Sequence, residues 1–235
     1  MTEELFREDS YLRECTAAVT AAAPGHVVLD RTVFYPTGGG QPGDTGVLEL
    51  PDGTEIVVRD TVKQDDAIIH LIATDAAPPA PGTPVTARID WARRHRHMRM
   101  HSLLHLVCAS VPCHITGAQV GAEKSRIDFD TGDRTLDKET LTAELNRLVA
   151  ADLPLSHRWI TDDELDAKPE LVRTMSVQPP RGTGRVRLME VAGVDLQPCG
   201  GTHVGRTGEI GRVAVSKIEN KGKRNRRVNV VLIEN

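Results

Sequence analysis

The sequence predicts an α+β protein, with a small β-barrel domain over residues 1–90 followed by a mixed α+β domain over 91–235. Three observations carry that expectation. Short apolar runs broken by turn residues fill the first 90 positions. From Trp91 the apolar spacing changes to three and four residues, and beyond residue 150 strand-like runs return. The chain has 235 residues, enough for one large domain or two small ones. At this length roughly 70% of the unfolded surface is buried, so no disulfide or metal staple is needed for a core.

The elements follow in order. Val27-Val28-Leu29, Val47-Leu48-Glu49-Leu50, Ile56-Val57-Val58 and Ala67-Ile68-Ile69-His70-Leu71 are short strands, separated by Pro24-Gly25, Gly38-Gly39-Gly40 and Pro51-Asp52-Gly53. Several strands at this spacing point to a small barrel. The run AAPPAPGTP over 76–84 reads as a linker or an ordered proline-rich edge, which places a boundary at 85–91. Leu104, Val107, Cys108 and Val111 predict a helix from 91 to 111, stopped by Pro112. Leu141, Leu145, Leu148 and Val149 form one stripe of a second helix over 136–150, stopped at Asp152-Leu153-Pro154. Strands are expected at 185–191, 210–218 and 228–233. No repeat and no low-complexity tract interrupts the pattern.

Composition narrows the function classes. Aromatics are 3% of the chain, which leaves few platforms for stacking single-stranded bases. A net charge of −4 excludes a protein that is basic all over. Basic residues are nonetheless concentrated at Lys217, Lys221, Lys223, Arg224, Arg226 and Arg227, with Glu219 the one acid among them. Such a patch can meet phosphates while the rest of the surface stays acidic. The start, MTEELFREDS, lacks the basic-then-apolar order of a signal peptide, and no apolar run approaches the ~18 residues of a membrane span. Cys15, Cys108, Cys113 and Cys199 are too few and too scattered for a disulfide framework, so a reducing cytoplasm is expected.

Two short motifs point to a metal. In HSLLH, His101 and His105 are four residues apart on the expected helix, so both imidazoles leave one face. In CGGTH, Cys199 and His203 are again four apart, with Gly200 and Gly201 between them. Three imidazoles and a thiolate make a tetrahedral set suited to one zinc ion per chain. Four simultaneous protein ligands would close the ion and make it structural, whereas a catalytic ion keeps an exchangeable position. Spacing leaves that choice open, with His203 either a fourth ligand or one that leaves. A zinc peptidase is disfavoured, because Ser102 stands where the HExxH pattern carries its glutamate base.

HSLLH at 101–105, CGGTH at 199–203 and FYPTGGGQPGDTG at 34–46 closely resemble, as a set, the free-standing alanyl-tRNA editing proteins of the medium-length AlaX type. They also resemble the editing domain of alanyl-tRNA synthetase. The likeness covers nearly the whole chain. It implies a β-barrel joined to a two-layer α+β editing domain, and ATP-independent, zinc-dependent hydrolysis of the ester joining serine, or alanine, to the terminal adenosine of tRNA(Ala). Serine on tRNA(Ala) is the favoured substrate. By position, His101, His105, Cys199 and His203 become the zinc ligands. Gly38, Gly39, Gly40, Gln41, Asp44 and Gly46 match the glycine-rich motif of the medium-length members. Those glycines either make a tight turn between strands or pack on the editing pocket. Residues 114–130 resemble the pocket strands, with Thr116 a candidate for the substrate side chain and Gln119 displaced from the place a glutamine takes in relatives.

The chemistry expected at such a site is modest, because an aminoacyl ester is already activated. Backbone N–H groups around Gly200, Gly201 and Thr202 are candidates for the developing oxyanion, and the Thr202 hydroxyl for orienting water. The basic run ending in Arg226 and Arg227 is expected to grip acceptor-stem phosphates, or else to be a solvated hairpin tip. The partner is thus aminoacylated tRNA, with no membrane and no obligatory protein partner implied. A zinc-stabilised tRNA-binding module without hydrolysis is the alternative.

Overall fold

A computed structural model describes residues 2–65, 67–174 and 184–234. The chain divides into two compact units, Met1–Arg96 and His97–Asn235. The strands of the first are β1 (Glu3–Glu4), β2 (Glu14–Ala23), β3 (His26–Leu29), β4 (Arg31–Thr32), β5 (Gly46–Glu49), β6 (Glu55–Val58), β7 (Asp60–Gln64), β8 (Ala67–Leu71) and β9 (Pro84–Ile89). Among the described residues, seven of these form one antiparallel sheet in the order β6-β5-β9-β2-β3-β8-β7. Period-two burial explains the strands: in β9, Val85, Ala87 and Ile89 are buried and the residues between them are not. These side chains join Val19, Val27, Leu29, Leu48 and Val58 in one core.

β2 serves both halves of the sheet. Its residues 14–18 pair with β9 and its residues 19–23 with β3, with a bulge between Val19 and Ala21 where the strand changes partner. The sheet does not close into the expected barrel. β6 and β7 stand at its two ends and, among the described residues, no ladder joins them. One residue, Arg59, separates Val58 from Asp60. A hairpin needs at least two turn residues, so β6 passes into β7 without folding back to pair, and one residue can join the two end strands only because the sheet curls until its ends lie close. Of the two readings of the proline-rich stretch, the ordered edge fits: Gly82 N–H donates to Val19 O at 2.8 Å, Val19 N–H donates to Thr83 O at 3.0 Å, and the stretch leads into β9, between β5 and β2.

The helix α1 (Trp91–Ser110) is followed by β10 (His114–Gln119), β11 (Ser125–Asp130), α2 (Lys138–Ala150), β12 (Leu155–Ile160), α3 (Asp162–Asp166), β13 (Val186–Val191), β14 (Asp195–Pro198), β15 (Val213–Asn220) and β16 (Asn225–Leu232). In the second unit β10-β11-β16-β15 form one antiparallel sheet and β12-β13-β14 another. Asp137 caps α2 by accepting from Thr140 N–H at 2.8 Å. The buried stripe of α2 is Leu141, Leu145, Leu148 and Val149. Asn146 of α2 donates to Val213 O and accepts from Val213 N–H, which ties the helix to β15. From His97 to Cys108, α1 buries side chains on nearly every face, so it is a central element of this unit. Among the described residues no helix is long and apolar enough to cross a membrane.

Candidate metal centre

α1 carries His101 and His105 one turn apart, both buried, with ring centroids 5.6 Å from one another. β14 ends at Pro198 and hands the chain to the CGGTH loop. The loop is held at both ends. Cys199 N–H donates to Arg187 O at 3.0 Å, and Val204 N–H donates to Ser102 Oγ on α1 at 3.2 Å. Between these, the buried Arg187 guanidinium donates from one nitrogen to the carbonyls of Cys199, at 3.2 Å, and Gly201, at 3.0 Å.

The loop thereby brings Cys199 Sγ to 3.6 Å from His101 Nε2 and 3.2 Å from His203 Nε2. One ligand atom from each of His101, His105, Cys199 and His203 lies within 4.8 Å of all the others. A tetrahedral zinc site, with Zn–S about 2.3 Å and Zn–N about 2.0 Å, spaces its sulfur and nitrogen donors about 3.5 Å apart. The two sulfur–nitrogen distances bracket that value, so the donor set fits a single ion of zinc's size and coordination.

The outward ring nitrogens support the same conclusion. His105 Nδ1 lies 2.8 Å from Asp195 Oδ2, and His203 Nδ1 lies 3.2 Å from Ser102 Oγ. With Nδ1 so engaged, each ring has Nε2 left for the centre. Gln197 Nε2 donates to the same Asp195 oxygen at 2.8 Å. Burial pushes the Cys199 thiol up, but the neighbouring charges of His101 and His203 outweigh it and hold the thiol well below its ordinary value. Burial also works against protonated His105, yet its bonds to Asp195 and Cys199 raise it to about 10. Burial, opposed by Cys199, draws His203 well below its ordinary value. The Cys199 sulfur and the Asp195 carboxylate behind His105 supply the negative charge that a divalent cation would meet here. Cys108, next to this network, is pushed by burial to about 12 and stays a thiol.

The other expected residues are distributed as follows. Gly200, Gly201 and Thr202 form the loop itself, with Thr202 fully buried. Thr116 lies in a bulge of β10, where the pairing with β11 shifts between Ile115 and Gly117, and its hydroxyl accepts from Asn225 Nδ2 at 3.1 Å. Gln119, at the end of β10, accepts from Arg126 Nε at 3.1 Å. In the β15–β16 hairpin, Lys221 and Lys223 are exposed, Lys217 pairs with Glu219, and Arg224 pairs with Asp130. Arg226 donates to the carbonyls of Gly222 and Asn225. Arg227 is committed to a two-pronged bond with Asp128, at 2.7 and 2.8 Å.

The glycine-rich motif has a structural role inside the first unit. Gly38 and Gln41 exchange backbone bonds across a tight turn in which Gly40 takes φ 81°. A side chain at Gly46 would meet Arg88 O at 2.1 Å. Asp44 is fully buried, accepts from Tyr35 N–H at 2.7 Å and pairs with the equally buried Arg94. Arg94 also donates to the carbonyls of Ser10 and Val33. Four residues around the candidate ligands were not among the sequence-derived candidates: Asp195, Gln197, Arg187, and Ser102 as a partner of His203. The alternation Asp195-x-Gln197 just before Cys199 was the one available signal, since both side chains leave a strand on one face.

Two protein families match parts of the chain. Residues 5–93 match tRNA synthetases class II (A), and residues 186–229 match the threonyl and alanyl tRNA synthetase second additional domain. Over its full length the chain is 37% identical to the alanyl-tRNA editing protein AlaX-M of Methanosarcina acetivorans, itself covered completely. It is 34% identical to the AlaX-M protein of Saccharolobus solfataricus, with 97% of this chain and 98% of that one aligned. An alanine–tRNA ligase from Pyrobaculum neutrophilum is 38% identical over 93% of this chain, which corresponds to 25% of the ligase.

Proposed function

The chain belongs to the alanyl-tRNA editing proteins, and from that premise we propose that it is a zinc-dependent hydrolase that removes a wrongly attached amino acid, serine above all, from tRNA(Ala). The observation that carries the reading is the meeting of two sequence-distant pairs, His101 with His105 and Cys199 with His203, inside one 4.8 Å cluster of donor atoms. These four residues would hold the zinc. When bound, the ion supplies Lewis acidity toward the ester carbonyl or its attacking water, or a hold on the free α-amino group.

The chain's own groups do the rest. Arg187 draws the Cys199 and Gly201 carbonyls to one side. In a trans peptide the N–H points opposite to the C=O, so the Gly200 and Thr202 N–H groups face the other way. We assign these two donors to the oxyanion that forms as the ester is attacked. Thr202, fully buried, can orient water only within the site. Thr116, aimed by its bulge and held by Asn225, is the proposed contact for the serine hydroxyl, with Gln119 further along the strand. A polar group that serine satisfies and alanine leaves unpaired separates the two. Lys221, Lys223, Arg224 and Arg226 are assigned to acceptor-stem phosphates, whereas Arg227 holds the hairpin to β11 through Asp128.

The test is deacylation of seryl- and alanyl-tRNA(Ala) by metal-stripped and zinc-restored protein. Activity is expected only after zinc is restored, with serine released faster; full activity without metal refutes the proposal. One observation favours a second reading, a tRNA-binding module with a purely structural ion: the cluster offers four donors, enough to close a tetrahedron. That reading requires His203→Ala to unfold the protein as Cys199→Ala does. The hydrolase reading expects a folded, inactive His203→Ala.

A further inference from the structure

The ligands of the cluster are not backed alike. His105 Nδ1 faces the buried Asp195 carboxylate at 2.8 Å, and Gln197 Nε2 lies 2.8 Å from the same oxygen and 3.1 Å from the ring nitrogen. A lone pair on Nδ1 would be repelled by the carboxylate, so Nδ1 carries the proton and Nε2 is the bare donor. In that tautomer the Gln197 amide serves Asp195 and holds its carboxylate against His105. Both residues belong to β14, which runs directly into Cys199, so one strand sets two donors at once. His203 has a weaker support. Its Nδ1 meets the Ser102 hydroxyl at 3.2 Å, and the same oxygen already accepts from Val204 N–H.

We propose that Asp195, steadied by Gln197, is the positioning residue that makes His105 the anchoring ligand of the centre, and that His203, backed by the neutral Ser102 hydroxyl, is the ligand that exchanges. A carboxylate behind an imidazole fixes its orientation and raises its basicity; removing such a partner typically weakens metal binding by about 10–100-fold. A neutral hydroxyl does less of both. The inference rests on the proposed zinc site and ranks the ligands within it, which answers whether the centre holds on with all four donors throughout.

The experiment is zinc titration of the full chain against a chromophoric chelator, for wild type, Asp195→Asn and Ser102→Ala, with metal content measured in parallel. Asp195→Asn keeps the shape of the side chain and removes its charge; Asp195→Glu, which keeps the charge, serves as a second variant should the first fail to fold. Affinity is expected to fall about 10–100-fold in Asp195→Asn and less than about threefold in Ser102→Ala. Should Asp195→Asn bind zinc as wild type does, or Ser102→Ala lose as much affinity as Asp195→Asn, the ranking is wrong while the zinc site stands. Wild type that binds no zinc overturns both. A folded Asp195→Glu that retains most of the affinity supports the role of the charge, and one that binds as weakly as a neutral variant contradicts it.

Discussion

Replacing Arg187 by methionine should cut turnover far more than it weakens substrate binding. The guanidinium is 5% exposed and reaches two carbonyls of the CGGTH loop, at 3.2 and 3.0 Å. Methionine fills much of the same space without a donor. Two hydrogen bonds from a charged group are worth about 1.5–3 kcal/mol each. Part of that sum is offset, because the variant no longer buries a cation. A net loss on the order of 2–4 kcal/mol falls on the placement of the loop. The carbonyls are then free to rotate, and the Gly200 and Thr202 N–H groups rotate with them. Losing one preorganised oxyanion donor costs about 10²–10³ in kcat. We therefore expect kcat on seryl-tRNA(Ala) to drop by about 10²-fold or more, with KM changed by only a few-fold. Arg187→Lys, which keeps a charged donor but lacks the planar guanidinium that sets one nitrogen between the two carbonyls, should lie between the two. The assay is steady-state deacylation, with zinc content measured on the same samples. A methionine variant that keeps one zinc and turns over within about threefold of wild type would falsify the assignment of these amides.

Four other perturbations follow from the same structure. Asp44→Ala leaves Arg94 buried without its carboxylate and should destabilise the first unit by about 3–5 kcal/mol. The double change Asp44→Ala, Arg94→Met should recover much of this in urea denaturation, and a double variant no better than the single one contradicts it. His70 is fully buried between Thr32 Oγ1, at 2.8 Å, and Val27 O, at 3.1 Å, and burial lowers its pKa from 6.5 to about 4. The unfolded chain protonates first, so the contribution is complete above pH ~6.5 and is lost as pH falls toward 4, a change of roughly 3 kcal/mol. In His70→Gln the acid slope of stability over that window should flatten. Neutralising Lys221, Lys223 and Arg226 together should weaken tRNA binding and make it less sensitive to salt, the log–log slope shrinking by about one for each phosphate the variant no longer neutralises. Arg227→Ala should instead lower thermal stability through Asp128, and an unchanged melting temperature would count against that division of labour.

Much of the candidate centre was legible because its ligands come in short-range pairs. A helix fixes His101 against His105, and five residues of loop fix Cys199 against His203, so each pair could be read without knowing the fold. The apolar stripe of α2 was legible for the same reason. Supports that depend on long-range register were not. Asp195 lies 90 positions from His105, and Asp128 meets Arg227 only because β11 and β16 pair in that register. Neither relation has a local period to read. The barrel expectation failed on a finer point: strand spacing announces a curved antiparallel sheet, but closure depends on which edges can hydrogen-bond, and the single residue between β6 and β7 rules out that pairing. In 84–89 the alternation of Val85, Ala87 and Ile89 is present, yet the prolines just before it have the composition of a linker and mask the strand.

β14 is four residues long and has two jobs: Asp195 and Gln197 look toward His105, and the position after Pro198 is the candidate ligand Cys199. Side chains on a strand change sides at every step, so an insertion or deletion of one residue between 195 and 199 would either turn Asp195 away from His105 or carry Cys199 out of reach. The stretch should therefore accept many exchanges of residue type but almost no change in length. A variant could keep every candidate ligand and still be unable to assemble the centre.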